Sequence, residues 1–552
     1  MHALSDFFRE TEPVRVPEWS RDAVWYQIMV ERFRNGDPGN DPPGVMSWTG
    51  DPHTTEGPPP HQRWYGGDLA GLIEGLDYLA DLGVTALYLN PIFQAGSYHK
   101  YDAIDWRHVD DHFGVAGEYA KTAAREDLHD PATWLFNESD RMFLRLIREA
   151  HDRGIRIIVD VSFNHVSQAH PAFKDVKEFG RSSEYADWFE IVCWDPFDFE
   201  GWAGHKHMPV LRKGPDGPAS ARARQHIFDV TARWTAPFGD SSQGVDGWRL
   251  DVANEFPAHF WADWRNLVKS LNPDAVIVGE VWDICDEWLD GQTFDGVMNY
   301  PFAELGVAFF GGGRDAPSIA DFDQHTRLLR NHYHRSVAEG LWNLYDSHDV
   351  DRLVSRLKNP GFPYARANKP SANPLYNDGK PTPEDYDRLL LSAVYQMTAL
   401  GAPMIYYGTE VGMWGGGDPD CRKPMIWRDL LPYANPDENR IEERVLAAYK
   451  ELIGLRKAHL CLSRGDFLTL HCGAGDDTIY AYARAGRGGV AVVALNVGSD
   501  PCEAKFQLPD GFPGWADFSP AYGMAAEDWP AQGAEARLTL RPLQGAILIA
   551  ES

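Results

Sequence analysis

Three carboxylates, Asp251, Glu280 and Asp349, each follow a short apolar run of the sequence. Such runs are typical of buried parallel strands, so each acid is expected at the point where a strand leaves the core. In a β/α barrel the carboxyl ends of the strands converge on one mouth, where such folds carry out their chemistry. Three acids at one mouth, with Arg249 beside them, indicate cleavage of a glycosidic bond.

The spacing of these acids suggests separate roles. Asp251 and Glu280 are one β/α unit apart, so adjacent strands would bring them to the separation of about 5 Å that retaining glycosidases need. Arg249 lies two positions before Asp251 and points to the same side of its strand, where its charge would keep Asp251 ionised as a nucleophile. Glu280, between Gly279 and Trp282, has the more apolar setting that suits a proton donor.

Further polar side chains end the predicted strands. Asp349 is expected to bind sugar hydroxyls and to favour the distorted ring, with His348 beside it. His165 ends the third predicted strand and can donate to the same sugar. A single acid at a strand end often caps the next helix. Three acids with these neighbours at matching barrel positions favour a chemical role instead.

Eight strand candidates alternate with helical stretches such as Asp140–Arg153 and Ala258–Ser270. Repetition of strand and helix at this length predicts an α/β fold, a (β/α)8 TIM barrel. The strand candidates are Ala23–Val30, Ala86–Asn90, Ile155–Val161, Val245–Leu250, Ala275–Val278, Gly296–Asn299, Leu341–Tyr345 and Pro403–Tyr407.

The pattern departs from a plain barrel in two places. Residues 1–165 and 245–460 are assigned to the barrel. Residues 166–244, after strand three, are too many for one helix and predict a small inserted domain with its connection. Residues 461–552 predict a C-terminal antiparallel β-sandwich domain, with strands that include Arg537–Ala550.

Two further segments interrupt the alternation. The loop Lys358–Pro383 follows strand seven and is expected to shape substrate access, as long loops at a barrel mouth often do. The segment Gly117–Asn137, between strands two and three, is expected to be a solvated loop with a short helix.

Composition limits the partners. The net charge of -29, from 81 acids and 52 bases, argues against nucleic acid or an anionic membrane as a partner. The six cysteines are scattered without a CxxC pair, which favours a reducing compartment over a disulfide framework or a zinc site. The first ten residues lack a long apolar core, and no stretch of about 18 apolar residues follows. A cytoplasmic location is therefore expected.

The motifs around these acids are similar to those of the α-amylase family of glycoside hydrolases, family thirteen. The resemblance is to its cyclomaltodextrinase, neopullulanase and maltogenic amylase branch, and it runs from about Val24 to Trp427. It implies that Asp251 is the nucleophile, Glu280 the general acid/base and Asp349 the stabiliser of the transition state. The matching motifs are Asp160-Val-Ser-Phe-Asn-His165, Gly247-Trp-Arg-Leu-Asp-Val-Ala-Asn-Glu255, Gly279-Glu-Val-Trp282 and Ser347-His-Asp349.

The resemblance implies further contacts with the substrate. Tyr101 would stack under the sugar being cleaved, and His99 would bind its hydroxyl. Trp282 would also contact the substrate. Glu255 would face the acceptor sugar and help to admit water or a second sugar. The segment Met208-Pro-Val-Leu-Arg212 departs from the branch's usual Met-Pro-Lys-Leu-Asn at two positions, which leaves fine specificity open.

A cluster of oxygen-bearing residues near the N-terminus could bind a metal. On its own the string is typical of a turn rich in Pro, Gly and Asx residues. The resemblance instead implies a structural Ca²⁺, bound by these side chains and a glycine carbonyl, and no catalytic metal. The residues implied are Asn35, Asp37, Asn40, Asp41, Gly66 and Asp68.

The resemblance implies a retaining hydrolase of α-1,4 bonds in maltooligosaccharides, cyclodextrins and starch, with α-1,6 bonds of pullulan as further substrates. It would release maltose-type products and also transfer sugars, because a hydroxyl can intercept a covalent intermediate. Two alternatives stay open. The same acids would serve a 4-α-glucanotransferase. A catalytically inactive sugar-binding barrel is disfavoured because all three acids are present.

The start of the chain departs from the branch. Members of the branch commonly carry an additional N-terminal β domain that builds a dimer and narrows the site, whereas few residues here precede the strand predicted from Ala23. We therefore expect a monomer, and an open cleft that accepts long starch chains as well as cyclodextrins.

Overall fold

The computed structural model describes residues 14–525 and 535–551. The expectation about the first ten residues lies outside these ranges. Across both ranges, each helix is too short or too polar to cross a membrane.

Eight parallel strands, β1 to β8, form the central sheet, with neighbours in the order β6-β5-β4-β3-β2-β1-β8-β7. A parallel bridge between Met298 and Trp342 joins β6 to β7 and closes the ring. The predicted TIM barrel is confirmed. Its interior is packed with large side chains, among them Trp25, whose ring centroid lies 4.5 Å from that of Trp342. The strands are β1 Trp25–Ile28, β2 Ala86–Leu89, β3 Arg156–Val161, β4 Gly247–Leu250, β5 Val276–Gly279, β6 Gly296–Val297, β7 Trp342–Asn343 and β8 Ala402–Tyr406.

Helices surround the sheet. The helix predicted from Asp140 begins at Glu138, because Asn137 and Asp140 form a reciprocal capping box that fixes the first turn. The longer helices are Leu69–Leu82, Glu138–His151, Ala221–Thr235, Ala258–Leu271, Tyr300–Gly311, Ile319–His332, Pro383–Thr398 and Glu443–Ala458. The shorter ones are Glu18–Asp22, Val30–Phe33, Glu118–Ala123, Pro171–Phe179, Arg335–Gly340, Leu353–Lys358 and Leu460–Arg464.

Two insertions build up the mouth of the barrel. After β2, strands Phe93–Ala95 and Ala103–Val109 pair as an antiparallel hairpin. After β3 come the helix Pro171–Phe179 and two small hairpins, and a bridge between His165 and Val210 ties this insertion to the end of β3. The strands of the two small hairpins are Ile191–Trp194 with Phe197–Phe199, and Lys213–Gly214 with Gly217–Pro218.

The C-terminal part is antiparallel β structure. The strand predicted over Arg537–Ala550 is wrong as one element, since Glu535–Leu540 and Gly545–Ala550 lie in different sheets. A five-stranded sheet runs in the order Asp466–Cys472, Ile479–Gly486, Gly489–Asn496, Gly545–Ala550 and Ser519–Tyr522. Cys502–Gln507 pairs with Glu535–Leu540.

The segment between β2 and β3 is largely exposed, as expected, but one part of it is buried against the hairpin after β2. It contains the expected short helix, Glu118–Ala123. The carboxylate of Glu126, fully buried, lies 3.0 Å from Arg107 Nη1 and 2.8 Å from His108 Nε2. Burial favours a neutral imidazole, but Asp140 and Glu126 outweigh it and raise the pKa of His108 to about 9. A buried ion-pair network therefore holds this segment in place.

Candidate active site

Strand register brings the two principal carboxyls together. Leu250 of β4 pairs with Gly279 of β5, and Asp251 and Glu280 are the residues that follow them. The Asp251 N–H donates to the Val161 carbonyl at 3.0 Å, and the Glu280 N–H donates to the Leu250 carbonyl at 2.9 Å. Both acids are therefore fixed at the mouth by main-chain hydrogen bonds that continue the hydrogen-bonding pattern of the barrel strands.

One buried guanidinium contacts both of these carboxyls. Nη1 of Arg249 lies 2.8 Å from Asp251 Oδ1, and Nη2 lies 2.9 Å from Glu280 Oε1. Arg249 Nη1 also donates to Asp160 at 2.9 Å. Burial opposes the charge on Arg249, but the carboxylates of Asp160 and Glu280 outweigh it and raise its pKa well above the usual value. The shared guanidinium holds the two carboxyls on the same side of the mouth, as a retaining mechanism requires.

Glu280 lies in a polar setting, contrary to the apolar one expected from its sequence neighbours. Besides Arg249, the Val252 N–H donates to its Oε2 at 3.0 Å and Trp282 Nε1 donates to its Oε1 at 3.2 Å. Val252 has φ +42°, a left-handed conformation that is strained for a β-branched residue. This strained backbone directs the N–H of Val252 at Glu280.

The two acids interact electrostatically. Burial and the neighbouring charge of Glu280 raise the pKa of Asp251 well above its usual range, and Arg249 acts in the opposite direction. This raised pKa differs from the expectation that Asp251 is readily ionised, although Arg249 acts in the expected direction.

A network of aromatic and polar side chains forms the floor of the site. The Tyr101 hydroxyl donates to Asp160 Oδ2 at 2.7 Å and lies 2.6 Å from His348 Nε2. Gln27 Nε2 donates to His348 Nδ1 at 2.8 Å, which assigns the imidazole proton to Nε2. That nitrogen lies 3.1 Å from Asp349 Oδ2. Gln27 therefore sets the tautomer in which His348 is oriented towards the third acid.

The third carboxyl is held from the end of β8. Arg422 Nη2 lies 3.3 Å from Asp349 Oδ1 and Arg422 Nη1 lies 3.1 Å from Asp418 Oδ1. Burial raises the pKa of Asp349, and Arg422 opposes this shift. Asp418 and Arg422 were not predicted from the sequence, because they lie well beyond the end of β8 at Tyr406, where a strand-end argument does not reach.

A cavity of about 750 Å³ collects most of the expected residues. Arg249 is fully buried beneath it. Glu255 is not among its lining residues, because its carboxylate pairs with Lys213 of the inserted segment; Asn254 lines the cavity instead. The expected residues that do line it are His99, Tyr101, His165, Asp251, Glu280, Trp282, His348 and Asp349.

The expected calcium ligands lie together, but not all are free to bind. Asn35 Nδ2 donates to Asp41 Oδ1 at 2.8 Å and Asn40 Nδ2 donates to Asp68 Oδ2 at 3.1 Å. The amide oxygens of both asparagines are buried without a hydrogen-bond partner. Asp68 also has a role that was not expected. Its carboxylate accepts the N–H groups of Gly36, Asp37 and Gly71 and caps the helix Leu69–Leu82.

Gly66 and Asp41 make a close approach beside these amides. A Cβ on Gly66 would lie 2.0 Å from Asp41 Oδ1, so only glycine fits there. Among the residues that the structure describes, no three or more His, Cys, Asp or Glu side chains are grouped as a metal site. A cation here would therefore depend on amide and carbonyl oxygens as well as carboxylates, which is the oxygen-rich donor set that calcium uses.

A barrel whose mouth holds two carboxyls on one arginine, with a third carboxyl beside them, is the arrangement of a retaining glycosidase. The chain belongs to the α-amylase family: residues 27–127 and 136–465 match the family model for the alpha amylase catalytic domain. It is an α-amylase-type glycosidase.

Comparison with named relatives identifies the branch of the family. The chain is 38% identical to Neopullulanase 2 of Thermoactinomyces vulgaris, over 98% of this chain and 80% of that protein. It is 34% identical to the cyclomaltodextrinase of Geobacillus thermopakistaniensis (strain MAS1), over 91% of this chain and 73% of that one. It is also similar in structure to a cyclic alpha-maltosyl-(1-->6)-maltose hydrolase from Arthrobacter globiformis, with a TM-score of 0.73, 29% identity and coverage of 98% and 100%. The expected branch, cyclomaltodextrinase, neopullulanase and maltogenic amylase, is thus confirmed.

Proposed function

We propose that this enzyme hydrolyses α-1,4-glucosidic bonds of maltooligosaccharides, cyclodextrins and starch with retention of configuration, and that it tolerates the α-1,6 bonds of pullulan. The observation that carries the proposal is the shared contact of Asp251 and Glu280 with Arg249 at the cavity floor. Similarity to a neopullulanase and a cyclomaltodextrinase supports the choice of α-glucans as substrates.

In the first step, Asp251 attacks the anomeric carbon and forms a covalent ester, while the bond to the departing sugar breaks and Glu280 gives that sugar's oxygen its proton. In the second step, Glu280 removes a proton from water, the water oxygen bonds to the anomeric carbon, and Asp251 is released as a carboxylate. Arg249 stays charged beneath both acids throughout, so it stabilises whichever of them is ionised.

Three of the histidines that line the cavity, His99, His165 and His348, add no charge to it. Burial lowers the pKa of His165 to about 3, and it lowers the pKa values of His99 and His348 well below the usual value. Neutral imidazoles can donate to or accept from sugar hydroxyls. They also avoid repelling the positive charge that develops on the ring in the transition state.

Sugar transfer is expected beside hydrolysis. Trp282, which stacks on Tyr300 with centroids 3.8 Å apart, keeps 40% of its surface exposed next to Glu280. An acceptor sugar on this ring could take the place of water in the second step. If transfer to an acceptor sugar were faster than hydrolysis, the protein would be a 4-α-glucanotransferase.

Incubation with maltotriose tests the reaction. We expect maltose and glucose as the main early products, with a minority of longer oligosaccharides at high substrate concentration. Proton NMR of the first minutes should show the new reducing end as the α-anomer, before mutarotation. Early formation of the β-anomer would contradict retention. Early products that are mostly longer than maltotriose would assign the enzyme as a transferase.

We also propose that Ca²⁺ binds beside Asn35, Asn40 and Asp41. The support is the pair of buried amide oxygens without partners and the adjacent Asp41 carboxylate. The ion would neutralise Asp41 and join the turn to the segment at Gly66, so its role would be structural.

Removal of calcium should lower the thermal unfolding midpoint. We expect chelation by EDTA to lower Tm by about 5 °C or more and added Ca²⁺ to restore it, since a ligand bound only to the native state stabilises it. Asn40→Ala should lose the dependence on Ca²⁺, whereas Asn377→Ala, in the loop after β7, should keep it. An equal Tm with EDTA and with excess Ca²⁺ in the native protein would refute the site.

We also propose a cytoplasmic location, which the free thiols of the described cysteines support. The monomeric state stays a prediction from the sequence.

A further inference from the structure

A buried lysine lies between two residues whose side chains line the catalytic cavity. Lys100 separates His99 from Tyr101 in the sequence. Its own side chain does not line the cavity and is 0% exposed. Lysine is almost never buried to this extent unless it is paired. The proposed reaction steps do not use this cation, so its burial calls for another role.

The ammonium group of Lys100 has several partners. Nζ lies 2.9 Å from Asp110 Oδ2, whose side chain is also 0% exposed, and it donates to the Ser97 carbonyl at 3.3 Å. The ring centroids of Trp64 and Phe113 lie 4.7 and 4.6 Å from Nζ. Contacts between a cation and an aromatic ring are stronger where the cation is desolvated. The charge is therefore held at one defined point of the fold.

Asp110 is itself fixed, so it can serve as an anchor. Its Oδ2 accepts the Ala95 N–H and its Oδ1 accepts the His112 N–H, both at 2.9 Å. Asp110 follows the strand Ala103–Val109, and its own N–H donates to the Ile92 carbonyl at 2.9 Å. The ion pair therefore joins the turn of this hairpin to the end of its second strand.

The backbone conformation of Lys100 favours a role for its side chain. Its φ of +65° lies in the left-handed region, which a residue with a Cβ adopts only at a cost in free energy, whereas glycine adopts it freely. A turn that needed only this conformation would be expected to use glycine. The lysine side chain therefore supplies something that glycine lacks, namely the tether to Asp110 and Ser97.

The tethered turn sets the positions of both cavity residues. The Lys100 N–H donates to Ser97 Oγ at 3.1 Å, and the Tyr101 N–H donates to His99 Nδ1 at 3.2 Å. Because Nδ1 accepts a hydrogen bond, the neutral imidazole of His99 carries its proton on Nε2. A shift of the turn would therefore move His99 and Tyr101 together.

We propose that Lys100 is a positioning residue of the proposed reaction, acting through its ion pair with Asp110. It holds the turn that presents His99 and Tyr101 to the sugar that is cleaved. The inference rests on the proposed function. Because a small displacement of groups that orient the reacting sugar is enough to slow a reaction, loss of the tether should slow formation of the ester even where the fold survives.

Fluoride release from α-maltosyl fluoride measures the effect of the tether, because fluoride departs without a proton and kcat/KM then reports ester formation. Lys100→Met keeps the length of the side chain but cannot donate. We expect it to lower kcat/KM by about tenfold, as for the loss of one hydrogen bond to a charged group. It should also lower Tm, because Asp110 is left buried without its cation. Lys100→Arg keeps the charge and the donors, so its kcat/KM should stay within a few-fold of native.

A double variant separates positioning from stability. Lys100→Met combined with Asp110→Asn leaves no unpaired buried charge, so Tm should return towards the native value while kcat/KM stays about tenfold low. Lys269→Met is the matched control. Lys269 Nζ lies 2.8 Å from Asp295, which precedes β6 at the end of the barrel opposite the mouth. This variant should lower Tm and leave kcat/KM unchanged.

Recovery of kcat/KM together with Tm in the double variant, or native kcat/KM in folded Lys100→Met, would overturn the inference and make the pair purely structural. If both methionine variants fail to fold, Asp110→Asn, which keeps Lys100 itself, replaces them with the same expected loss and the same contrary result. No fluoride release by the native enzyme would overturn the proposed function, and the inference with it.

Discussion

Replacement of Asp251 by Asn is expected to reduce kcat for maltotriose by about 10⁴-fold or more, with little change in KM, because an amide cannot form the covalent ester. The amide oxygen can still accept from Arg249 Nη1, so the fold should be preserved. Initial rates of reducing-sugar release measure the loss of kcat, and a circular dichroism spectrum shows whether the fold is preserved.

Glu255→Gln provides the control for this substitution. Glu255 is an acidic residue of the same motif, but it pairs with Lys213 outside the cavity. Surface ion pairs contribute about 1 kcal/mol or less, so its loss should leave kcat within a few-fold of native. Activity of Asp251→Asn within tenfold of native, in a preparation free of native enzyme, would remove Asp251 from the nucleophile's role.

Glu280→Gln is expected to reduce kcat/KM for maltotriose by about 10³-fold, since general acid catalysis contributes roughly 10²–10⁴-fold. The loss should be far smaller for the ester-forming step with α-maltosyl fluoride, because fluoride departs without a proton. Azide should then replace water in the second step and give α-maltosyl azide, which NMR identifies. An equal loss on both substrates, without azide product, would show that Glu280 is not the proton donor.

The barrel and its acids were predictable from the sequence because both depend on local patterns. Apolar runs at β/α spacing predicted β4 and β5, and the acids that follow them are Asp251 and Glu280. The setting of Glu280 was not predictable, because its partners Arg249 and Val252 come from the neighbouring strand. The register between two strands is set when the sheet forms, and it cannot be predicted from either apolar run alone.

The contact that Glu255 makes was also not predictable from the sequence. The resemblance implied contact of Glu255 with the acceptor sugar, but Val252 takes the left-handed conformation. As a result Asn254 lines the cavity and Glu255 reaches Lys213. A backbone reversal at a β-branched residue gives no signal in the sequence, because residue preference argues against it.

Contacts between residues that are distant in the sequence account for the remaining differences between prediction and structure. Glu126 appeared to lie in a solvated loop, yet it is buried against Arg107 and His108, which come from the hairpin after β2. Asp68 stays a predicted metal ligand, but the sequence did not indicate that its carboxylate also caps a helix and binds the turn at Gly36. The type of each residue is known from the sequence, but the residues that it contacts are fixed only when the chain is folded.

A trapped intermediate tests the central claim most directly. Glu280→Gln incubated with α-maltosyl fluoride should accumulate a covalent adduct, because it forms the ester and hydrolyses it slowly. Intact-protein mass spectrometry should show the gain of one maltosyl group, and peptide mapping should place it on Asp251. An adduct on any other residue, or fluoride release with no adduct and direct formation of β-maltose, would contradict this mechanism.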